Sequence, residues 1–151
     1  MGRTMRTGGR LIIVAVAVLA FAAPVQAKGA VDTTITLTSA GPVEPFTTTG
    51  GALCPVSGAG TASSFDFRFA GSGQSRAGTF HLKKTLVCSD GTGSLTIGIN
   101  AATVFGSPTD QGGWSIIGGT GAYETAHGGG SLVGTYFPGG ITDVYTGRIS
   151  L

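Results

Sequence analysis

Apolar side chains recur at every second position through most of the chain beyond residue 30, and glycine-rich stretches separate the alternating runs. Ile35 and Leu37 in one run, and Ile97 and Ile99 in another, alternate with polar or small residues. Successive side chains of a β-strand point to opposite faces of a sheet, so this period predicts strands with one buried face. No sustained period of 3.6 residues indicates a helix there. The chain is therefore expected to be all-β, with tight turns at its glycines.

The alternating runs predict seven or eight strands. Seven runs begin at Val31, Phe65, Phe80, Leu95, Trp114, Ser131 and Ile141. Residues 41–49 contain two prolines and are expected to form a loop or an edge strand, because proline cannot donate to a strand ladder. Lys84 is in phase with the apolar residues of the run at Phe80, which predicts a β-bulge at that lysine.

The aromatic run of Phe65, Phe67 and Phe69 is expected to point inward, with Asp66 and Arg68 outward. About eight short antiparallel strands must protect the edges of their sheet, and closure into a barrel does so. We therefore expect an antiparallel eight-stranded barrel. A two-sheet β-sandwich is the alternative.

The first 27 residues have the pattern of a cleavable secretory signal. Three arginines precede an apolar run at residues 11–23, Pro24 ends the run, and small residues lead up to Ala27. The run is shorter than the ~20 residues of a transmembrane helix. We expect a signal peptide at 1–27 and a single barrel domain at 28–151, with no stable membrane insertion after cleavage. The protein would be secreted, or periplasmic if its source has an outer membrane.

Removal of the signal leaves six basic and seven acidic residues, a net charge of −1. A near-neutral domain without basic clusters lacks the electrostatic footprint of a nucleic-acid-binding protein, so no nucleic acid is expected as a partner. Twenty-five of the 28 glycines lie beyond residue 27. Such a glycine-rich composition can indicate disorder, but the alternating apolar runs between the glycines argue against it.

Both cysteines, Cys54 and Cys88, lie beyond the signal. Two cysteines in an exported domain most simply form one disulfide. A metal pair or a reactive thiol is the alternative, although two sulfurs without a neighbouring histidine make a poor metal site. We expect the disulfide to pin the weakly patterned stretch around Cys54 to the end of the strand that contains Cys88.

A glycine-rich motif lies between the runs at Trp114 and Ser131, where residues 117–128 read IGGTGAYETAHG. The motif resembles the Gly-Gly-Thr-Gly-x-aromatic-x-x-Ala-x-Gly segment of the allene oxide cyclase and dirigent barrel superfamily. The matching residues are Gly118, Gly119, Gly121, Tyr123, Ala126 and Gly128. A phosphate-binding loop is a poor alternative, because its lysine and its following helix are both missing.

The resemblance implies an eight-stranded, calycin-like barrel of a bacterial-type secreted member, with an apolar pocket open at one end. Relatives use that pocket to cyclise an epoxide or to orient phenoxy radicals. The charged and aromatic residues of those reactions have no one-to-one match in this sequence. The resemblance therefore implies a fold and a structural role for the motif, but no catalytic residues.

Asp143 is the polar residue best suited to line such a pocket. It shares the parity of Ile141, Tyr145 and Ile149. On the inward face, burial would raise its pKa and let it act as an acid, a base or a ligand anchor. A bulge, a sheet end or one satisfied hydrogen bond is the alternative. Tyr136 and Tyr145 are the other pocket candidates, unless they pack in the core with tethered hydroxyls.

The two histidines offer little chemistry. His81 is expected on the solvated surface, and His127 in a local hydrogen bond of the glycine motif rather than in a dyad with Glu124. No catalytic triad, metal-ligand set or cofactor motif is recognisable in the sequence, so no catalytic residue is assigned and neither a metal nor a cofactor is expected.

Three functions stay open. The first is a secreted barrel that binds a small hydrophobic or aromatic ligand without catalysis. The second is an enzyme of the cyclase or isomerase type, and the third is a structural or interaction protein of the cell envelope. Assembly into a homo-oligomer is compatible with all three.

Overall fold

The computed structural model describes residues 29–71 and 76–151, which fold into eight antiparallel strands. The strands are β1 (Val31–Ser39), β2 (Glu44–Thr49), β3 (Ala59–Ala70), β4 (Ala77–Cys88), β5 (Gly93–Val104), β6 (Thr109–Gly121), β7 (His127–Phe137) and β8 (Gly140–Ser150). Each strand pairs with the next, and β8 pairs back to β1, so the sheet closes. The predicted eight-stranded barrel is confirmed over the sandwich. The predicted signal peptide, residues 1–27, lies outside the described residues.

β2 lies inside the sheet, so the prediction of a loop or an edge strand for residues 41–49 is wrong for Glu44–Thr49, although residues 41–43 do lie in the loop between β1 and β2. The strand pairs with both β1 and β3. Glu44 and Phe46 are buried, whereas Pro45 between them is exposed. Pro45 is the second residue of the strand, where one missing N–H donor interrupts the ladder least. The pattern concealed this strand because Phe46 is its only large apolar side chain.

The pairing of β3 with β4 shifts register just after Phe65, where Asp66 adopts a left-handed φ of 54°. Residues that pair across strands share a face, so Phe65 lies beside Lys83 on the outer surface. Phe67 and Phe69 instead line the interior. The prediction that all three phenylalanines point inward is therefore wrong for Phe65, because the irregularity reverses the alternation.

β4 carries no bulge at Lys84, contrary to the prediction. Its pairing with β5 runs in register from Ala77 to Val87. Lys84 stays in phase with Phe80 and Leu82, and it is only 4% exposed. The irregularity lies in β3, opposite Leu82, and the lysine points into the barrel.

One end of the barrel is closed by the loop between β2 and β3. Leu53 and Cys54 of this loop are fully buried. The predicted disulfide joins Cys54 to Cys88, with their Cα atoms 5.2 Å apart. The backbone N–H of Cys54 donates to the hydroxyl of Tyr123 at 2.8 Å, and this tyrosine of the glycine motif is 1% exposed. A Cβ at Gly119 would collide with the carbonyl oxygen of Tyr123, so the motif needs a glycine there to close this end.

The hydrophobic core fills the half of the barrel next to the closed end. Its members include Ile35, Leu37, Phe46, Leu86, Leu95, Ile97, Trp114, Tyr145 and Ile149. The opposite half, reached by the β1–β2, β5–β6 and β7–β8 loops, contains a cavity. Within residues 29–71 and 76–151 there is no helix that could span a membrane.

Candidate functional site

The open half of the barrel holds a cavity of about 650 Å³. Strands β1 to β8 all contribute side chains to its wall. The lining residues include Ser39, Glu44, Ser64, Phe67, Phe69, Phe80, Leu82, Lys84, Ile99, Thr103, Phe105, Asp110, Leu132, Tyr136, Ile141, Asp143 and Tyr145. The volume is within the range of pockets that enclose small organic molecules.

Aromatic side chains surround the mouth of the cavity. Phe67 is 65% exposed, and Phe69, Phe105 and Tyr136 are about half exposed. Phe67 stacks on Phe80 at a ring-centroid distance of 6.2 Å, and Phe69 contacts Phe105 at 5.9 Å. Clustered aromatic rings that are left this exposed are typical of a surface that contacts an apolar molecule.

A buried ion pair lies at the floor of the cavity. The Lys84 ammonium nitrogen is 2.6 Å from a carboxylate oxygen of Glu44 and 3.3 Å from the Ser39 hydroxyl. The Ser64 hydroxyl donates to the same glutamate at 2.9 Å. Charges are buried at a cost of several kcal/mol each unless they are paired and hydrogen-bonded. Here the two charges are paired with each other, and the hydroxyl groups of Ser39 and Ser64 add hydrogen bonds to them. The four side chains come from four consecutive strands, β1 to β4.

Asp143 of β8 lies beside this ion pair, and its carboxyl group binds Tyr145. The Tyr145 hydroxyl donates to Asp143 Oδ2 at 3.1 Å, and the same oxygen is 3.9 Å from the Lys84 nitrogen. Burial raises the pKa of Asp143 above its ordinary value, although Lys84 opposes the shift. Burial, together with the charge of Asp143, also raises the pKa of Tyr145. Asp143 is thus a carboxyl group that protonates more readily than an exposed one.

The cavity wall contains another buried carboxyl group. Asp110 of β6 is 2% exposed, and its Oδ2 accepts a hydrogen bond from the Tyr136 hydroxyl at 2.9 Å. Its other oxygen, Oδ1, is buried without a hydrogen-bond partner among the described residues. The pKa of Tyr136 is raised, mainly by burial, so its hydroxyl keeps its proton and donates a hydrogen bond to Asp110. The cavity therefore contains one carboxylate oxygen with unused acceptor capacity.

The three pocket candidates from the sequence, Tyr136, Asp143 and Tyr145, all line this one cavity. The sequence interpretation missed Glu44, Lys84 and Asp110 as members of the site. A signal for them was present, because each has the same parity in its strand as a buried or inward aromatic or apolar residue. These neighbours are Phe46 for Glu44, Leu82 for Lys84 and Trp114 for Asp110.

Neither histidine lines the cavity. His81 is exposed on the outer face of β4 and contacts the Oδ1 of Asn100. His127 is exposed at the closed end, where its Nδ1 lies 3.4 Å from the carbonyl oxygen of Thr125 rather than against Glu124. In the part of the chain that the structure describes, no group of three or more histidine, cysteine or acidic side chains could hold a metal ion.

No protein-family model, no curated protein and no solved structure matches this chain. The function is therefore argued from the cavity and its side chains.

Proposed function

We propose that this protein is a secreted β-barrel that binds a small hydrophobic or aromatic molecule in the cavity of its open half. The observation that carries the proposal is the cavity of about 650 Å³, which combines an aromatic mouth with a few convergent polar groups. Ligand sites in proteins have this composition, because apolar walls supply affinity and a few polar groups fix orientation. Small barrels can hold one ligand in their mouth.

The resemblance of residues 117–128 to the allene oxide cyclase and dirigent superfamily supports this proposal. Barrels of that superfamily use a pocket at one end for an apolar substrate. In this chain the motif lies at the closed end, around Tyr123 and Gly119, and the cavity lies at the other end.

Binding of an uncharged fluorophore to the purified domain, residues 28–151, tests the proposal. N-Phenyl-1-naphthylamine should bind saturably with an increase in fluorescence. Ile141→Trp should fill the cavity near its mouth and weaken binding at least about ten-fold. Val133→Trp is the matched control, because Val133 is exposed on the neighbouring strand and does not line the cavity. No saturable binding by the unchanged protein, or equal binding by both variants, would contradict the proposal.

A cyclase or isomerase is the second candidate, favoured by the pair of Asp143 and Tyr145. A carboxyl group whose pKa is raised by burial can transfer a proton to a bound substrate, and the phenol beside it can donate a hydrogen bond. Asp143→Asn separates the two functions. In an enzyme it should abolish conversion of a bound compound while the fluorophore still binds, whereas in a binding protein no compound is converted by either form.

A purely structural role in the cell envelope has less support. A barrel with only that role needs no internal space and can be filled with side chains, whereas the interior of this barrel contains the cavity.

A further inference from the structure

Two acidic side chains of the cavity wall flank a glycine of β7. Gly134 of β7 pairs with Asp110 of β6 on one side and with Asp143 of β8 on the other. Residues that pair across strands share a face, so both carboxyl groups lie on the inner wall at the level of Gly134. A Cβ at Gly134 would collide with Asp110 Oδ1. The missing side chain therefore makes room for the Asp110 carboxyl group, which lies against Gly134 beside Ile141.

Asp110 has an acceptor oxygen that the protein itself does not use. Its Oδ2 accepts from Tyr136, but its Oδ1 has no partner among the described residues, and the side chain is 2% exposed. A buried polar atom without a hydrogen bond is costly, and the cost is greatest for charged groups. A donor on a molecule inside the cavity would remove this cost, because Asp110 lines that cavity.

The cavity also contains more acids than bases. Glu44, Asp110 and Asp143 contribute three carboxyl groups to its described lining, and Lys84 contributes one amino group. The cavity keeps an excess of negative charge unless at least two of the three acids are protonated. The amino group of Lys84 is already bound to Glu44 and the Ser39 hydroxyl, so it is not free to pair with an anionic ligand.

We propose that the ligand is an organic cation, with an apolar or aromatic body and a protonated primary or secondary amine. The ammonium group donates to the Asp110 carboxyl group from the cavity, on the wall that Asp110 shares with Asp143. The body contacts the aromatic side chains of the mouth. This inference rests on the proposed function, since it specifies the chemistry of the molecule in the same cavity.

Three features combine in this assignment. A charge-assisted hydrogen bond is stronger than a neutral one, so an ammonium donor satisfies Asp110 better than a hydroxyl does. The rings of Phe67, Phe69 and Phe105 offer faces that attract cations as well as apolar groups. An anionic ligand such as a fatty acid would place its carboxylate beside the three acidic side chains of the cavity. Lys84, the cation of the described lining, is already paired with Glu44 and would not compensate the added charge.

Displacement of N-phenyl-1-naphthylamine by three compounds of equal length tests the inference. The compounds are 4-phenylbutylamine, 4-phenylbutan-1-ol and 4-phenylbutyrate, which differ only in their polar group. At neutral pH the amine should displace the fluorophore about ten- to a hundred-fold more effectively than the alcohol, and the carboxylate should be the weakest. Asp110→Asn should remove most of the preference for the amine over the alcohol. Asp32→Asn should keep it, because the Asp32 side chain is 91% exposed on the outer surface.

The outcomes distinguish this inference from the proposed function. Failure of the fluorophore to bind the unchanged protein would overturn both. Binding of the fluorophore with equal displacement by amine and alcohol, or with the carboxylate strongest, would overturn the inference and leave the proposed function standing. The comparison of the three compounds on the unchanged protein decides this even if Asp110→Asn does not fold.

Discussion

The side-chain nitrogen of Lys84 lies 2.6 Å from a carboxylate oxygen of Glu44, and the two side chains are only 5% and 12% exposed. Their strands, β4 and β2, are not neighbours, because β3 lies between them. Ser64 of β3 donates to Glu44 and completes the connection. The ion pair thus ties three strands together at the floor of the cavity, and it separates the packed core from the open half.

We expect Lys84→Met to lower the free energy of unfolding by about 3–5 kcal/mol, because it leaves Glu44 buried without its cation. The double variant Lys84→Met/Glu44→Gln should recover most of that loss, since both charges are then removed. Urea unfolding measures both effects. Lys83→Met is the matched control, because the partner of Lys83 is Asp66 on the outer surface and such exposed pairs contribute about 0–1 kcal/mol. Equal losses from the two lysines would contradict the role of the buried pair.

The period of the apolar residues predicted the strands and their closure, because it reports directly which side chains are buried. It failed where one residue changes the phase. Asp66 adopts a left-handed backbone at the irregularity in β3, and aspartate accepts this conformation without a distinctive sequence signal. The sequence alone therefore could not show that Phe65 points outward while Phe67 points inward, because that depends on the register of β3 and β4.

The site was harder to predict than the fold, because its charges pair over long sequence distances. Lys84 and Glu44 are 40 residues apart, and Tyr136 and Asp110 are 26 apart. The sequence placed Asp143 inward by its parity with Tyr145. Lys84 likewise has the parity of Phe80 and Leu82, which indicates an inward side chain. It was interpreted as the site of a bulge, because the sequence did not reveal Glu44 as its partner.

Asp143 should make the stability of the barrel depend on pH. Burial raises its folded-state pKa above the ordinary value of 3.8, with smaller contributions in the same direction from Asp110 and Glu44 and opposing ones from Lys84 and Tyr145. A raised folded-state pKa means that the contribution of Asp143 to stability is fully present below pH 3.8 and is lost as the pH rises through the folded-state pKa.

The free energy of unfolding of the unchanged protein, relative to Asp143→Asn, should therefore increase as the pH falls from neutral to about 4. Urea unfolding of both proteins at several pH values measures this difference. Asp66 and Asp90 have lowered pKa values and destabilise the protein in acid, but both proteins contain them, so they cancel in the difference. A difference that stays constant over this range would show that the pKa of Asp143 is not raised.

The disulfide should contribute substantially to stability, because it fixes a loop with little other apolar content to the end of β4. Cys54 and Cys88 are 34 positions apart, and cross-linking a loop of that size contributes about 3–4 kcal/mol in the chain-entropy account. The double variant Cys54→Ser/Cys88→Ser should lose about 2–5 kcal/mol in urea unfolding. Mass spectrometry after alkylation without reductant should find no labelled thiol in the unchanged protein. Two labelled thiols would contradict the disulfide.

The glycine motif provides a matched pair of substitutions at adjacent positions of β6. A Cβ at Gly119 would collide with the backbone of Tyr123, whereas a Cβ at Gly118 would meet nothing within 4 Å. Neither glycine has a positive φ, and alanine restricts the unfolded chain equally at both positions, so the two substitutions differ in what the new Cβ meets. Gly119→Ala should lower the free energy of unfolding by about 1–3 kcal/mol, because Tyr123 must move away from the Cys54 N–H that it binds. Gly118→Ala should change it by no more than about 0.5 kcal/mol. Thermal unfolding of the two variants, with a similar loss in both, would contradict the close approach of Gly119 to Tyr123 as the reason for the glycine.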